Sequence, residues 1–144
     1  MESIFDMTKM LYAIKHINDF YNKICTETAD KCGISKAEAD ILIFLNNNPA
    51  CDSAKDIVKL KGFSKAYVSK AVEPLLAKGL ISIKVDEEDR RRQHLKITDK
   101  ANPILLNLKE MQQTFFKKIT DGISKEDIET HLHVINRFSE NAQK

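Results

Sequence analysis

The sequence predicts a mainly α-helical chain carrying one small β-hairpin. Three observations lead there. Apolar residues recur at steps of three or four over most of the 144 residues. The period shortens to two only between Ile81 and Ile97. Four glycines and three prolines are too few for a loop-rich all-β fold. With 42% hydrophobic and 31% charged residues, the chain has the make-up of a single soluble domain with a sizeable core. No window reaches the roughly 18 consecutive apolar residues that a membrane helix needs. The start, MESIFDMTKM, has neither a basic leader nor an apolar signal core, so a cytoplasmic protein without membrane association is expected. Cys25, Cys32 and Cys51 form no Cys-x-x-Cys pair, which suggests reduced thiols rather than a disulfide frame.

The elements follow in order. Met7, Leu11, Ile14, Ile17, Tyr21 and Ile24 form one apolar stripe, with Lys9, Lys15 and Asp19 between them, and predict a long amphipathic first helix. Ser35 with Glu38 three residues on is a capping box. It opens a second helix through Ala37, Ile41, Leu42 and Leu45 that ends in Asn46-Asn47-Asn48-Pro49. Ser53 caps a short third helix carrying Ile57, Val58 and Leu60 to a stop at Gly62. Ser64 caps a fourth, with Val68, Val72 and Leu75 inward, ending at Gly79. Ile81, Ile83 and Val85 then alternate with polar residues, as do Leu95 and Ile97, giving two strands joined by Asp86 to Arg92. Helical spacing returns at Ile104, Leu108, Met111, Phe115 and Ile119. It resumes after Ser124 at Ile128, Leu132, Ile135 and Phe138.

Charge is distributed unevenly. From Ser53 to Lys100 there are twelve Lys or Arg against seven acids, whereas the rest of the chain holds eleven against fourteen. A basic middle between acidic flanks fits a polyanionic partner for the middle alone. There, two short helices meet at the tight turn Lys61-Gly62-Phe63 and are followed by a β-ribbon, the pattern of a helix-turn-helix with a wing. With Val68, Val72 and Leu75 buried, Ala66, Tyr67, Ser69 and Lys70 fall on the opposite or flanking surface. Lys65 and Lys70 suit phosphate or guanine, Ser69 base or phosphate, and Tyr67 offers a hydroxyl and a ring. The loop Asp86-Glu87-Glu88-Asp89-Arg90-Arg91-Arg92 sets three arginines where a wing reaches a minor groove. Its four acids oppose that role unless Asp89 grips an arginine in a bidentate pair while Asp86, Glu87 and Glu88 face solvent. Taken singly, each feature also fits an ordinary solvated surface.

Two segments, SKAYVSKAVEPLLAKGLI from Ser64 and DEEDRRRQHLKITDKA from Asp86, resemble the recognition helix and wing of the multiple antibiotic resistance regulator (MarR) family. The resemblance implies a winged helix-turn-helix at residues 35–101, flanked by dimerisation helices at 1–34 and 102–144. It further implies a homodimeric transcription regulator, usually a repressor, that binds double-stranded DNA at an inverted-repeat operator. Asp89 and Arg91 match the family's Asp-x-Arg pair, and Arg91 then stands as the minor-groove residue beside Arg90. Ser64, Lys65, Ala66, Tyr67, Ser69 and Lys70 match the recognition face, and Ser53 matches a helix start that touches phosphate. Pro74 departs from a regular recognition helix because it removes one backbone hydrogen bond. Family members also commonly bind a small-molecule effector beside the dimer helices, for which Phe20, Tyr21 and Phe115 are the aromatic candidates, although each also suits a core.

Other chemistry finds little support. No Gly-rich phosphate loop, nucleophile elbow or metalloprotease signature occurs, so an enzyme is not expected, nor is a cofactor. His131 and His133, two apart on a helix, point to different faces, and His16 and His94 stand alone as solvated histidines, so no metal site is expected. Two rival readings remain. One is a winged helix turned to protein partners, favoured by the acids of the wing. The other is a thiol-based redox regulator using Cys25 or Cys32, with Lys23 and Lys31 nearby to stabilise a thiolate.

Overall fold

The computed structural model describes residues 4–144. Among them are six α-helices and one antiparallel hairpin: α1 (Met7–Lys31), α2 (Lys36–Asn47), α3 (Ala54–Lys61), α4 (Lys65–Ala77), β1 (Ile81–Val85), β2 (Gln93–Ile97), α5 (Asn102–Ile119) and α6 (Lys125–Ala142). The chain forms two compact units, one extending to Gln112 and the other from Gln113 to Lys144.

The helix starts fall where the side chains demand them. Ser35 accepts from the Glu38 N–H while the Glu38 carboxylate accepts from the Ser35 N–H, and Ser53 and Asp56 repeat this box at α3. Ser64 and Ser124 cap α4 and α6 through the N–H groups of Tyr67 and Asp127. The turn between α3 and α4 depends on Gly62, whose φ of +71° is left-handed backbone that a side chain would strain. Pro103 occupies the first turn of α5, where its missing N–H leaves no helical bond unmade. Pro74 lies inside α4, which nonetheless runs unbroken to Ala77.

The core belongs to the first unit. Cys25 and Ala29 from α1, Ile41, Leu42 and Leu45 from α2, Ile57 from α3, and Val68, Ala71 and Leu75 from α4 pack together with Leu80, Ile81, Leu95 and Leu108. The Glu38 carboxylate is buried at its edge. Lys78 Nζ donates to both oxygens of Glu38, at 2.8 and 3.1 Å, joining the end of α4 to the start of α2. Breaking such a pair from one side leaves a buried charge uncompensated.

The two strands of the hairpin form where expected, with Ile81 opposite Ile97 and Ile83 opposite Leu95. Its apolar alternation is only partly a burial pattern. Ile81 and Leu95 are buried, whereas Ile83 and Val85 on β1 are exposed, although Ile83 stands opposite Leu95. β2 is anchored instead by the Leu95 N–H, which donates to the Asp52 carbonyl at 2.8 Å.

The apolar stripe of α1 divides likewise. Tyr21 and Ile24 pack against the core, while Met7, Leu11, Ile14 and Ile17 are exposed. In the second unit Phe116, Leu132, Ile135 and Phe138 are exposed. Among the described residues no helix is long and apolar enough to cross a membrane.

Core position should govern the response to truncation. Leu42→Ala removes a fully buried side chain and should lower the unfolding free energy in urea by about 2–5 kcal/mol. Leu60→Ala, at an exposed position on α3, should change it by less than about 0.5 kcal/mol.

Candidate nucleic-acid interface

The N-terminal half of α4 presents Ser64, Lys65, Ala66, Ser69 and Lys70 to solvent, with Val68 and Ala71 turned into the core. Tyr67 differs from the sequence expectation. It is half-buried, and its hydroxyl donates to Asp40 Oδ2 at 2.6 Å, with Lys36 Nζ 2.7 Å from the same oxygen. Burial, and then the bond to Asp40, raise the Tyr67 phenol above its ordinary value. The hydroxyl is therefore committed to α2, and the Tyr67 ring packs at a tilt against Phe63 with centroids 4.8 Å apart. Ser53 is buried as well, and its Oγ accepts the Asp56 N–H as the cap of α3.

The wing resolves its mixed charges differently from the arrangement the sequence suggests. Asp89 does not hold a guanidinium: its Oδ1 accepts the backbone N–H of Arg91 at 3.0 Å. Asp86 does not face solvent. Its Oδ1 accepts the N–H groups of Glu88 and Asp89, both at 2.9 Å, and shapes the turn. Those backbone bonds, Asp89 first, together with the His94 ring hold the Asp86 carboxyl down to about 2. The arginine that is gripped is Arg92, whose Nη2 lies 3.2 Å from Asp56 Oδ2 on α3. Arg90 and Arg91 extend from the turn as exposed residues.

His94 is not the solvated histidine of the sequence reading. Nδ1 lies 2.6 Å from Asp52 Oδ1 and Nε2 lies 2.7 Å from Asp86 Oδ2. The bonds to Asp52 and then Asp86 raise its pKa above the ordinary histidine value. Burial pushes the Asp52 carboxyl up, but hydrogen bonds from His94 and Lys96 outweigh it and leave the group below the usual range.

Between α3 and the wing lies a concavity of about 710 Å³ whose lining includes Lys55, Lys59, Arg91, Arg92 and Asp56. Arg91 thus shares a recess with two lysines that sequence reasoning did not single out. Their signal was present in the spacing: Lys55 and Lys59 are four apart, on the side of α3 away from Ile57.

The effector candidates are spread over both units. Phe20 and Tyr21 lie on α1, where Tyr21 packs on the core and its hydroxyl accepts from Gln112 Nε2 at 3.4 Å; Phe115 is buried in the second unit. All three cysteines are free thiols. Burial, with Asp40 adding to it, pushes the Cys25 thiol up to about 11, so at neutral pH it is protonated and a poor nucleophile.

A capped two-helix turn followed by an anchored β-ribbon with exposed arginines defines a winged helix-turn-helix protein. Residues 33–92 match the sequence model of the MarR family. Solved MarR proteins share the fold. One from Peptoclostridium difficile is 19% identical, with 99% of this chain and 92% of its own covered and a TM-score of 0.81. One from Listeria monocytogenes, solved in complex with a 26mer DNA, is 16% identical, with 98% and 89% covered and a TM-score of 0.80. A transcriptional regulator from Silicibacter pomeroyi is 20% identical, with 92% and 88% covered and a TM-score of 0.79.

The inward use of Tyr67 is open to measurement. Tyr67→Phe removes its bond to Asp40 and should destabilise the fold by about 1–2 kcal/mol in chemical denaturation. A change indistinguishable from zero would mean that the hydroxyl is not committed to α2.

Proposed function

We propose that the chain is a sequence-specific DNA-binding transcriptional regulator. It acts as a homodimer on a pseudo-palindromic operator and serves as a repressor when the operator overlaps a promoter. The observation that carries this reading is the division of labour among the basic residues. Lys65 and Lys70 flank the exposed N-terminal face of α4, Arg90 and Arg91 project from the wing, and Arg92 is retained by Asp56 to brace the wing against α3. In this reading Ala66 and Ser69 face base edges in the major groove, Ser64 and the lysines contact phosphate, and Arg91 enters the minor groove. Lys55 and Lys59 add positive potential beside Arg91. The Listeria relative solved with DNA lends support from a protein of the same fold.

Exposed apolar residues support the dimer. Leu11, Ile14 and Ile17 on α1, and independently Leu132, Ile135 and Phe138 on α6, form helical apolar faces that a soluble monomer would leave in water. A two-fold axis buries such faces against their copies and sets two recognition helices about one helical turn of DNA apart. Any small molecule that releases DNA must bind the DNA-incompetent dimer more tightly than the competent one.

Fluorescence anisotropy on duplexes selected from a random pool tests the reading. Recovery of an inverted repeat is expected. Arg91→Ala should weaken binding by about 1–3 kcal/mol and reduce the slope of log affinity against log salt by about 1. Absent or salt-independent binding would turn the assignment toward a protein partner. For the dimer, Ile14→Asp should shift the sedimenting mass from that of two chains to that of one, and an unchanged dimer would remove α1 from the interface.

A further inference from the structure

We propose that His94 is a positioning residue for the wing: while doubly protonated it latches the wing turn to the leader of α3, and so fixes where Arg90 and Arg91 stand relative to the recognition helix. The DNA half of this inference rests on the reading above; the latch itself does not.

Donor counting carries the argument. Both ring nitrogens of His94 lie within hydrogen-bond distance of a carboxylate oxygen, 2.6 Å to Asp52 and 2.7 Å to Asp86. An ionised carboxylate only accepts, and a neutral imidazole has a single N–H, so both bonds form at once only in the imidazolium. Neither carboxylate is placed to supply the missing proton. Asp52 also accepts from Lys96 Nζ at 2.7 Å, and Asp86 also accepts two backbone N–H groups, each of which favours the ionised form.

The surroundings point the same way. The charged groups lining this recess with His94 are Asp52 from the leader, Lys84 from β1, Asp86, Glu87 and Glu88 from the turn, and Lys96 from β2. Lys84 is the cross-strand partner of His94, and Lys96 is drawn to Asp52. Four acids against two lysines favour a positive ring.

The two ends of the latch connect to different parts of the site. Asp52 immediately precedes the Ser53 cap of α3, and its carbonyl accepts the Leu95 N–H, so it is fixed to the body. Asp86 shapes the turn that leads to Asp89, whose carboxylate holds the Arg91 N–H. Loss of one proton leaves a nitrogen lone pair facing a carboxylate oxygen, so one bond must open. Either break removes the link from the wing turn to Asp52, leaving the Arg92–Asp56 pair to hold the wing to α3.

The folded His94 lies above its ordinary 6.5, so the latch contributes fully below 6.5 and is lost as pH rises through the raised value. Asp86 is depressed from 3.8 to about 2, so its part is present above 3.8 and fails only as pH falls toward 2.

The test combines NMR with DNA binding on the full chain. The His94 ring and the amides of Glu88, Asp89 and Arg91 are followed from about pH 6 to about pH 9, and operator anisotropy is measured over the same range at fixed ionic strength. The unmodified protein, His94→Gln and Asp86→Asn are compared. The ring should titrate above 6.5, with the wing amides moving on the same curve. DNA affinity should fall about five- to tenfold toward the alkaline end. His94→Gln should bind at the weaker level with a flat profile, and Asp86→Asn should lower the pH at which the ring titrates. A ring that titrates at or below 6.5, or wing amides that do not follow it, would overturn the latch. Coupled amides with a pH-independent affinity would overturn its role in DNA binding. Coupled amides with no DNA binding at any pH would support the latch and sink the DNA-binding reading instead. The ring titration of the unmodified protein decides the latch even where a variant fails to fold.

Discussion

Everything that positions the interface depends on the packing of α4 against α2. Ile41, Leu42 and Leu45 meet Val68, Ala71 and Leu75 in one apolar seam, whose burial supplies most of the favourable free energy but little orientation. Orientation comes from two polar contacts, one near each end of α4. Near its start Tyr67 donates to Asp40, and just beyond its end Lys78 pairs with Glu38. Both carboxylates are buried on the first turns of α2, so sliding α4 along the seam would leave a buried acceptor without its donor. Held in this way, α4 presents Lys65, Ala66, Ser69 and Lys70 as a fixed set.

The wing illustrates how a mixed charge run can serve a single purpose. Asp86 and Asp89 are used up on the backbone of their own turn, and Asp86 additionally on His94. Arg92 is used up on Asp56, which at the same time completes the cap of α3. Arg90 and Arg91 are left at the tip. The acids that would repel phosphate if they stood in solvent instead build the turn that carries the arginines, and three of the four contacts that tie the ribbon to α3 and its leader, through Asp52 and Asp56, are ionic. Such a wing is stiff near its base and depends on protonation there.

The long helices have a different character. α1 enters the core only through its C-terminal half, where Cys25 and Ala29 are buried among α2 residues, and its N-terminal half has no buried residue. Burial at Cys25 quenches the thiol chemistry that Lys23 and Lys31 suggested, because a lysine nearby in sequence does not offset removal of the sulfur from water. On α6 no residue is buried. Such helices need a further surface to justify their apolar faces.

Much was legible in the sequence for a clear physical reason. Helix starts are decided within four residues by Ser35, Ser53, Ser64 and Ser124, and helix stops by Gly62 and Gly79, so local chemistry alone set the element order. Period-two alternation over only a few residues located the hairpin. The exposed cations of α4 were legible for the same reason, since a 3.6 period assigns faces once the buried side is known. Partners for the polar side chains were not. Asp89 seemed the partner of an arginine because it adjoins three of them, yet a carboxylate so near in sequence reaches a backbone N–H more easily than a guanidinium. Tyr67 with Asp40, Arg92 with Asp56, and His94 with Asp52 are contacts across 27, 36 and 42 residues. Sequence by itself determined which segments are helix and strand and which faces are apolar, because those depend on neighbours within a turn or two. Only the tertiary structure decided which charges are spent inside the fold and which are left for a partner, because that depends on what folding brings within 3 Å or so of each carboxylate.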